Sequence, residues 1–372
     1  MSRESRLKQY TELGQALWLD YISRELLNSG RLRELLREGI TGMTSNPSIF
    51  QKAIAGGAGY DEQLRELAKA GSDAYQIYEA LALCDIREAA DQLRHAYEVS
   101  DARDGYVSIE IDPKLAHDTQ RTVSEARRLF ETIDRPNVMI KVPATEAGLP
   151  AIEQLLSEGI NVNVTLIFSI SMYEQVMQAY LAGLRAAREA GRPLRQIASV
   201  ASFFVSRVDT LVDRLLDEKL AAGENVAALR GQAAVANARI AYDRFKAMFH
   251  GEPFAEFKNT GARVQRPLWA STSTKNPDYS DTKYVDLLVG PETVNTVPPQ
   301  TLDAIRDHGV PARTVDLDVD EAYALIEKLQ SVGIDMQAVT SQLLDEGVRL
   351  FAEAFEKMLA DIETKRRRLA AG

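Results

Sequence analysis

Asn137-Val-Met-Ile-Lys141-Val-Pro-Ala-Thr145 is the stretch whose reading decides the fold. Residues 138–142 have the β-branched, apolar composition of a buried strand, yet a lysine stands near its end. Pro143 stops further ladder pairing, and Ala144-Thr145 leads into a helix. A lysine amine held there loses hydration, which favours the neutral form whose lone pair attacks a carbonyl. Taken alone, Lys141 is better explained as snorkelling out of the strand end or pairing with a carboxylate. Other strand ends of this chain carry the same kind of polar anomaly.

Upstream, residues 15–20 (Gln-Ala-Leu-Trp-Leu-Asp) form a short apolar run closing on an acid, the first expected strand. The second covers 39–44, followed by Ser45-Asn46-Pro47, a helix-start signal with proline in the first turn. The third covers 106–111, with Glu110 near its end. Downstream, 160–166 is the fifth, where polar residues alternate at 161, 163 and 165 and so share one face. The sixth is 197–202, running on through Phe203-Phe204-Val205 to Arg207, the seventh is 266–271 and the eighth is 284–290. Helical patterns lie at 2–13, 30–39, 118–133, 147–158, 171–190, 208–222 and 226–249, the last capped by Asn225. A longer helical stretch of about three segments, 49–99, exceeds what one crossover needs. After the strands come helices at 299–308, 320–332 and 336–360, then a basic tail at 365–368 read as a solvated helix end.

Strands separated by helices, without hairpin signals, indicate parallel βα units. Eight such units fit an α/β (β/α)8 TIM barrel, for which about 250 residues is typical. The rival is an open doubly wound sheet, but no glycine-rich turn follows the first strand. The expectation is one domain over residues 1–372, with barrel strands within 14–290. Extra helices stand at the N-terminus, after the second strand, and at the C-terminus over 299–368.

Of the 372 residues 45% are hydrophobic, ample for a large core. A net charge of -10 disfavours a nucleic-acid partner but allows a local basic site for an anion. Cys84 is the one cysteine, so no internal disulfide or cysteine-based zinc cluster is expected. The histidines at 95, 117, 250 and 308 lack ligand spacing, so no metal is expected either. Without an apolar leader or a run of about 20 apolar residues, the expectation is a cytoplasmic protein with no membrane partner. A homo-oligomer is left open.

In such a barrel, catalytic groups come from the C-terminal ends of several strands. The residues there are Asp20, Asn46, Glu110, Lys141, Asn163, Thr165, Ser202 and Ser271. Each has an ordinary explanation: Asp20 could cap a helix, Asn46 could hold a turn, Thr165 could fill a strand. One amine, two carboxyl groups and several neutral polar groups facing one mouth are harder to explain as packing. A buried lysine beside acids is the composition of a Schiff-base site, in which an acid moves protons and the amine forms an imine.

At these residues the chain resembles the transaldolase family, most closely its longer bacterial branch. The resemblance rests on Gly42-Met-Thr-Ser-Asn-Pro-Ser48, Ile140-Lys-Val-Pro-Ala-Thr145, Asn161-Val-Asn-Val-Thr-Leu-Ile-Phe-Ser169 and Ala201-Ser-Phe-Phe-Val-Ser-Arg207, and runs from about Trp18 to Gly290. It implies a (β/α)8 barrel and no metal or organic cofactor. It also implies transfer of a dihydroxyacetone unit from sedoheptulose 7-phosphate to glyceraldehyde 3-phosphate, giving erythrose 4-phosphate and fructose 6-phosphate. By motif, Lys141 would form the imine, and Asp20 would handle the substrate hydroxyl proton during carbon–carbon cleavage. Glu110 and Thr165 would hold the proton-relaying water. Asn46, Asn163 and Ser202 would bond the dihydroxyacetone hydroxyls, and Phe204 would form part of the wall. Arg207 would hold the phosphate with Ser271 beside it. Where the better-known branch has an arginine soon after that serine, this chain has Thr272-Ser-Thr-Lys275, which makes Lys275 the expected second cation.

Two other functions stay open on sequence alone. The same lysine chemistry serves a lyase that splits fructose 6-phosphate or joins dihydroxyacetone to aldehydes. A sugar-phosphate-binding barrel without catalysis would share the architecture, although the lysine and both acids are intact.

Overall fold

The computed structural model describes residues 5–370. Residues 2–4 of the expected lead-in helix lie outside this range, and its described part is Arg6–Glu12. Eight strands follow: β1 (Gln15–Asp20), β2 (Ile40–Thr44), β3 (Val107–Glu110), β4 (Val138–Pro143), β5 (Val162–Ile167), β6 (Ser199–Phe204), β7 (Arg266–Ala270) and β8 (Thr293–Val297). They close in sequence order into a barrel in which every pairing is parallel, β1 pairing with β8. This is the (β/α)8 architecture expected from the alternation of strand and helix patterns. Among the described residues, no helix is long and apolar enough to cross a membrane.

The two faces of each strand have different neighbours, because side chains alternate. On β4, Val138, Ile140 and Val142 are fully buried on the face opposite Lys141. Each contributes about 1.5–3 kcal/mol relative to exposure, which is what holds a lysine-bearing strand in the wall. The other parity lines the barrel interior, where Ala16, Met139, Val200 and Arg266 border a cavity at the N-terminal mouth. Asp20, Lys141, Ser202 and Ala270, on the same parities of the same strands, border another at the C-terminal mouth. Trp18 lies between Ala16 and Asp20 on that parity and is wholly buried. Its ring leaves no room beside it, since a Cβ at Gly42 would sit 2.6 Å from the indole. Gly42→Ala is therefore expected to lower stability by about 1–3 kcal/mol, the usual cost of overpacking, measured by urea unfolding. A midpoint equal to wild type would mean the indole can shift freely.

Three expectations need correction. Residues 284–290 are not the eighth strand: Lys283–Asp286 is a helical turn, and β8 begins at Thr293, so the strand range closes at 297 rather than 290. A short apolar run does not by itself distinguish strand from buried helix. Here the run packs against the barrel, its Leu288 carbonyl accepting from Gln15 Nε2 at 2.7 Å and Trp269 Nε1 at 2.9 Å. The helix expected over 226–249 begins only at Ala233, after a 3-10 turn at Ala227–Leu229. Its cap is not Asn225 but the carboxylate of Asp209, which accepts from the Ala234 amide at 2.7 Å. The basic tail belongs to the C-terminal helix Met336–Ala370 and is not wholly solvated. Lys365 is buried there, donating to the Ile54 carbonyl at 3.0 Å and the Gly57 carbonyl at 3.2 Å.

Those carbonyls end the helix Pro47–Gly56, so a lysine there opposes the negative pole of the helix dipole. The C-terminal helix also runs close to the barrel mouth. It can do so because residue 347 is glycine: a Cβ there would lie 2.9 Å from Leu166 at the end of β5. Leu166 itself is left-handed at φ 60, where β5 loses regular register with β6. Such non-glycine strain clusters at functional sites. One helical turn after Gly347, Phe351 faces the mouth.

Candidate active site

The C-terminal mouth holds a cavity of about 500 Å3, bordered by Asp20, Asn46, Lys141, Thr165, Ser202, Phe204, Arg207, Ser271 and Lys275. Nine of the eleven residues expected from sequence therefore share one wall; Glu110 and Asn163 stand just behind it. Strand register explains the arrangement, since Lys141 pairs with Glu110 on one side and Asn163 on the other. All three thus occupy one layer of the barrel.

Lys141 is 5% exposed, and its Nζ donates to the Ser45 carbonyl at 3.0 Å and to Glu110 Oε2 at 3.2 Å. Burial pushes the Glu110 carboxyl up, a trend opposed by Lys141 and helped by Asp20. The result is an acid poised to exchange a proton with its neighbour amine. Burial also pushes Asp20 up, against the pull of Lys141 and a 2.7 Å hydrogen bond from Thr44 Oγ1. Two carboxyl groups near one amine, Glu110 buried and Asp20 half-buried, can handle separate proton transfers around one carbon skeleton.

Asn163 does not present its amide to the cavity. Its Nδ2 donates to Ser108 Oγ at 3.0 Å and its Oδ1 accepts from Ser202 Oγ at 2.7 Å, so it orients Ser202, which does border the space. Thr165 is the opposite case: its hydroxyl is buried and without a hydrogen-bond partner. An orphaned hydroxyl at the wall of a polar cavity is suited to a water or a substrate oxygen. Asn46 caps the helix Pro47–Gly56, its Oδ1 accepting from Ile49 N at 3.0 Å. That bond fixes the side chain and leaves the amide nitrogen as a donor.

The cations gather at the rim. Arg207 belongs to the first turn of the helix Ser206–Ala221 rather than to a prolonged sixth strand. Its guanidinium centre lies 5.5 Å from the Phe204 ring centre, and Phe204 packs on Phe168. Ser271, left-handed at φ 56, hydrogen-bonds Ser206 at 3.1 Å and turns the chain towards Lys275. Lys275 donates to Ser273 Oγ at 2.6 Å. Burial and the nearby Arg207 and Lys52 charges lower its pKa, partly offset by Asp20.

Sequence reasoning missed Lys52, Thr44, Thr296 and Phe351 at this cavity. Lys52 had a signal: once Asn46 is an N-cap, Ser48 and Lys52 fall on one helical face by i,i+4 spacing, and both border the cavity. Thr44 lies two residues before Asn46 and shares a 2.6 Å hydrogen bond with Thr296 on β8, a strand the sequence hid. Phe351, whose ring centre is 5.8 Å from Lys141 Nζ, comes from a helix that no motif connects to the mouth.

Comparison with known proteins adds an independent finding. The profile of the family described as transaldolase/fructose-6-phosphate aldolase matches residues 17–362. A transaldolase of Thermobifida fusca is 52% identical over 357 residues, covering 95% of this chain and 96% of that one. A protein named transaldolase 2 from a Nostoc species is 48% identical over 371 residues, 97% of each chain. A transaldolase of Mycobacterium tuberculosis is 49% identical over 363 residues, again 97% of each.

Proposed function

We infer the function from one premise: this chain belongs to the transaldolase/fructose-6-phosphate aldolase family. It is a transferase, a transaldolase of the pentose phosphate pathway. Its sugar-phosphate reaction moves a dihydroxyacetone unit from sedoheptulose 7-phosphate to glyceraldehyde 3-phosphate. The covalent route we assign to it runs through Lys141. The observation that supports this is an amine on the cavity floor, 3.2 Å from one buried carboxyl group and in the same mouth as a second.

The proton on Lys141 passes to Glu110, whose burial favours the neutral acid. The free amine adds to the C2 carbonyl of the ketose. Loss of water, aided by Glu110 and a water on the Thr165 hydroxyl, gives the iminium ion. Asp20 then takes the proton of the C4 hydroxyl as the C3–C4 bond breaks; its electrons flow into the iminium, and erythrose 4-phosphate leaves. The enamine stays on Lys141, held by Asn46 and Ser202, until it attacks the aldehyde carbon of the acceptor. Asp20 returns its proton to the new alkoxide, and hydrolysis of the imine frees fructose 6-phosphate and the lysine. Transfer rather than release is tested by incubating fructose 6-phosphate with and without erythrose 4-phosphate. Sedoheptulose 7-phosphate should form only with the acceptor, and free dihydroxyacetone should remain negligible. Rapid release of dihydroxyacetone without acceptor would instead make the chain a lyase.

The phosphate needs a local clamp, because a net charge of -10 repels an anion at long range. Arg207 offers two parallel donors, while Lys275 and Lys52 contribute point charges. Arg207→Ala is expected to cost roughly 2–4 kcal/mol in kcat/KM for phosphorylated donors, the range for truncating a buried charged partner. Lys275→Ala and Lys52→Ala should each cost less, and none should affect unphosphorylated dihydroxyacetone. Equal losses on both donor types would assign these residues to the fold or the chemistry. Since the Lys275 ammonium is held below the ordinary lysine range, its charge is lost earlier as pH rises. KM for phosphorylated donors should therefore climb on the alkaline side, and Lys275→Arg should flatten that climb.

A further inference from the structure

The opposite end of the barrel holds a second space that the transfer reaction does not use. Barrel interiors are filled by side chains, and their N-terminal faces ordinarily serve stability. Here that mouth retains a cavity of about 450 Å3, within the size range of small-molecule sites. Ala16 borders it and Asp20 borders the catalytic cavity, four residues along β1, which at 3.3 Å per residue is about 13 Å.

Its chemistry is cationic. Arg103, Arg263 and Arg266 come to it from two different connections and from the first residue of β7. The exposed Arg103 guanidinium has no hydrogen-bond or ion-pair partner among the described residues. Arg266 is buried, donating to the Arg103 carbonyl at 2.8 Å, with Asp104 Oδ2 at 3.6 Å. Arg263 reaches the exposed Asp101. The two carboxylates that border the cavity are already engaged. Asp104 accepts from Trp18 Nε1 at 2.7 Å, Gly105 N at 3.2 Å and Thr41 Oγ1 at 3.0 Å. Glu292 meets His250 at 2.7 Å. Asp104 and Asp101 balance Arg266 and Arg263, so among the described residues Arg103 is the arginine of this hollow left with an unmatched charge. The remaining wall is mixed, with Ala16, Met139 and Val200 beside Thr11, Gln15 and Ser199, and suits a short polyol carbon body better than a bare ion.

We propose that this N-terminal cavity is a second ligand site, binding a small phosphate monoester through Arg103, Arg263 and Arg266. The planar guanidinium fork matches phosphate oxygens two at a time. The cavity is larger than a free phosphate requires, so an ester should bind more tightly than the inorganic ion.

The test uses the full chain carrying Arg207→Ala, which weakens the catalytic phosphate subsite, titrated calorimetrically with inorganic phosphate and with glycerol 3-phosphate. One site per chain should remain, tighter for glycerol 3-phosphate, and filling it should change the fluorescence of Trp18, whose ring centre lies 5.8 Å from the Arg266 guanidinium. Adding Arg103→Ala should weaken that site about tenfold or more, as expected for losing a hydrogen bond between charged groups. Arg266→Gln should do the same; because Arg266 is buried and this variant can fail to fold, exposed Arg103 provides the decisive comparison. The proposal is overturned if no binding remains in the Arg207→Ala chain, or if Arg103→Ala leaves the remaining binding unchanged. It does not rest on the imine chemistry, so loss of catalysis by other routes would leave it standing.

Discussion

Lys141→Arg is expected to abolish turnover and, with it, borohydride trapping of fructose 6-phosphate on the protein. A guanidinium is neither nucleophilic nor deprotonated in water, so no imine can form. The substitution keeps a cation beside Glu110, which otherwise would be left as a buried carboxyl group without its 3.2 Å partner. Loss of activity with an unchanged unfolding midpoint would therefore point to chemistry rather than to folding. The measurement is mass spectrometry of the reduced adduct after digestion. In the wild-type chain the added mass should fall on the peptide containing Lys141. An adduct on Lys52 or Lys275, the other amines of the cavity, would overturn the assignment.

The second large effect separates the two acids. Glu110 touches the lysine, whereas Asp20 lies across the mouth with Thr44 holding its carboxyl group. Glu110→Gln should slow imine formation by about 10²–10⁴-fold, the usual loss when a general acid–base group is removed. Asp20→Asn should form imine readily but fail to break the carbon–carbon bond, so a trappable adduct accumulates from fructose 6-phosphate. Rapid-quench trapping distinguishes them: slow appearance of adduct for one variant, fast appearance without product for the other. If both trapped imine at the wild-type rate, the acids would not divide the work in this way.

The sequence made most of this site readable because its residues break local rules. Lys141 is legible as a charge in a β-branched run, Asp20 and Glu110 as acids at the ends of apolar strands, and Asn161, Asn163 and Thr165 as a polar stripe. What stayed hidden has identifiable causes. β8 reads Thr-Val-Asn-Thr-Val, too polar to compete with the apolar Tyr284–Gly290 nearby, although its burial is complete. For Asn163 the family resemblance implies a substrate ligand, whereas its bonds to Ser108 and Ser202 give it a supporting position that no sequence motif encodes. Arg207 was attached to a strand because Phe203-Phe204-Val205 continues the apolar run, whereas helix begins at Ser206. Phe351 depends on a packing between distant segments that no local pattern encodes.

The C-terminal helix carries a consequence for the order in which the molecule is made. The barrel's last strand ends at Val297, yet the Phe351 ring lies 5.8 Å from Lys141 Nζ, and Lys365 fastens the helix still later. Chains emerge from the ribosome N-terminus first, at about 5–20 residues per second, and begin folding as they do. The strands of a nascent barrel are thus all made before Phe351, which borders the same mouth as Lys141, has been added. One wall of the mouth is therefore supplied by residues made well after the last strand, so a chain stalled between Val297 and Phe351 would hold Lys141 in a mouth that lacks this ring.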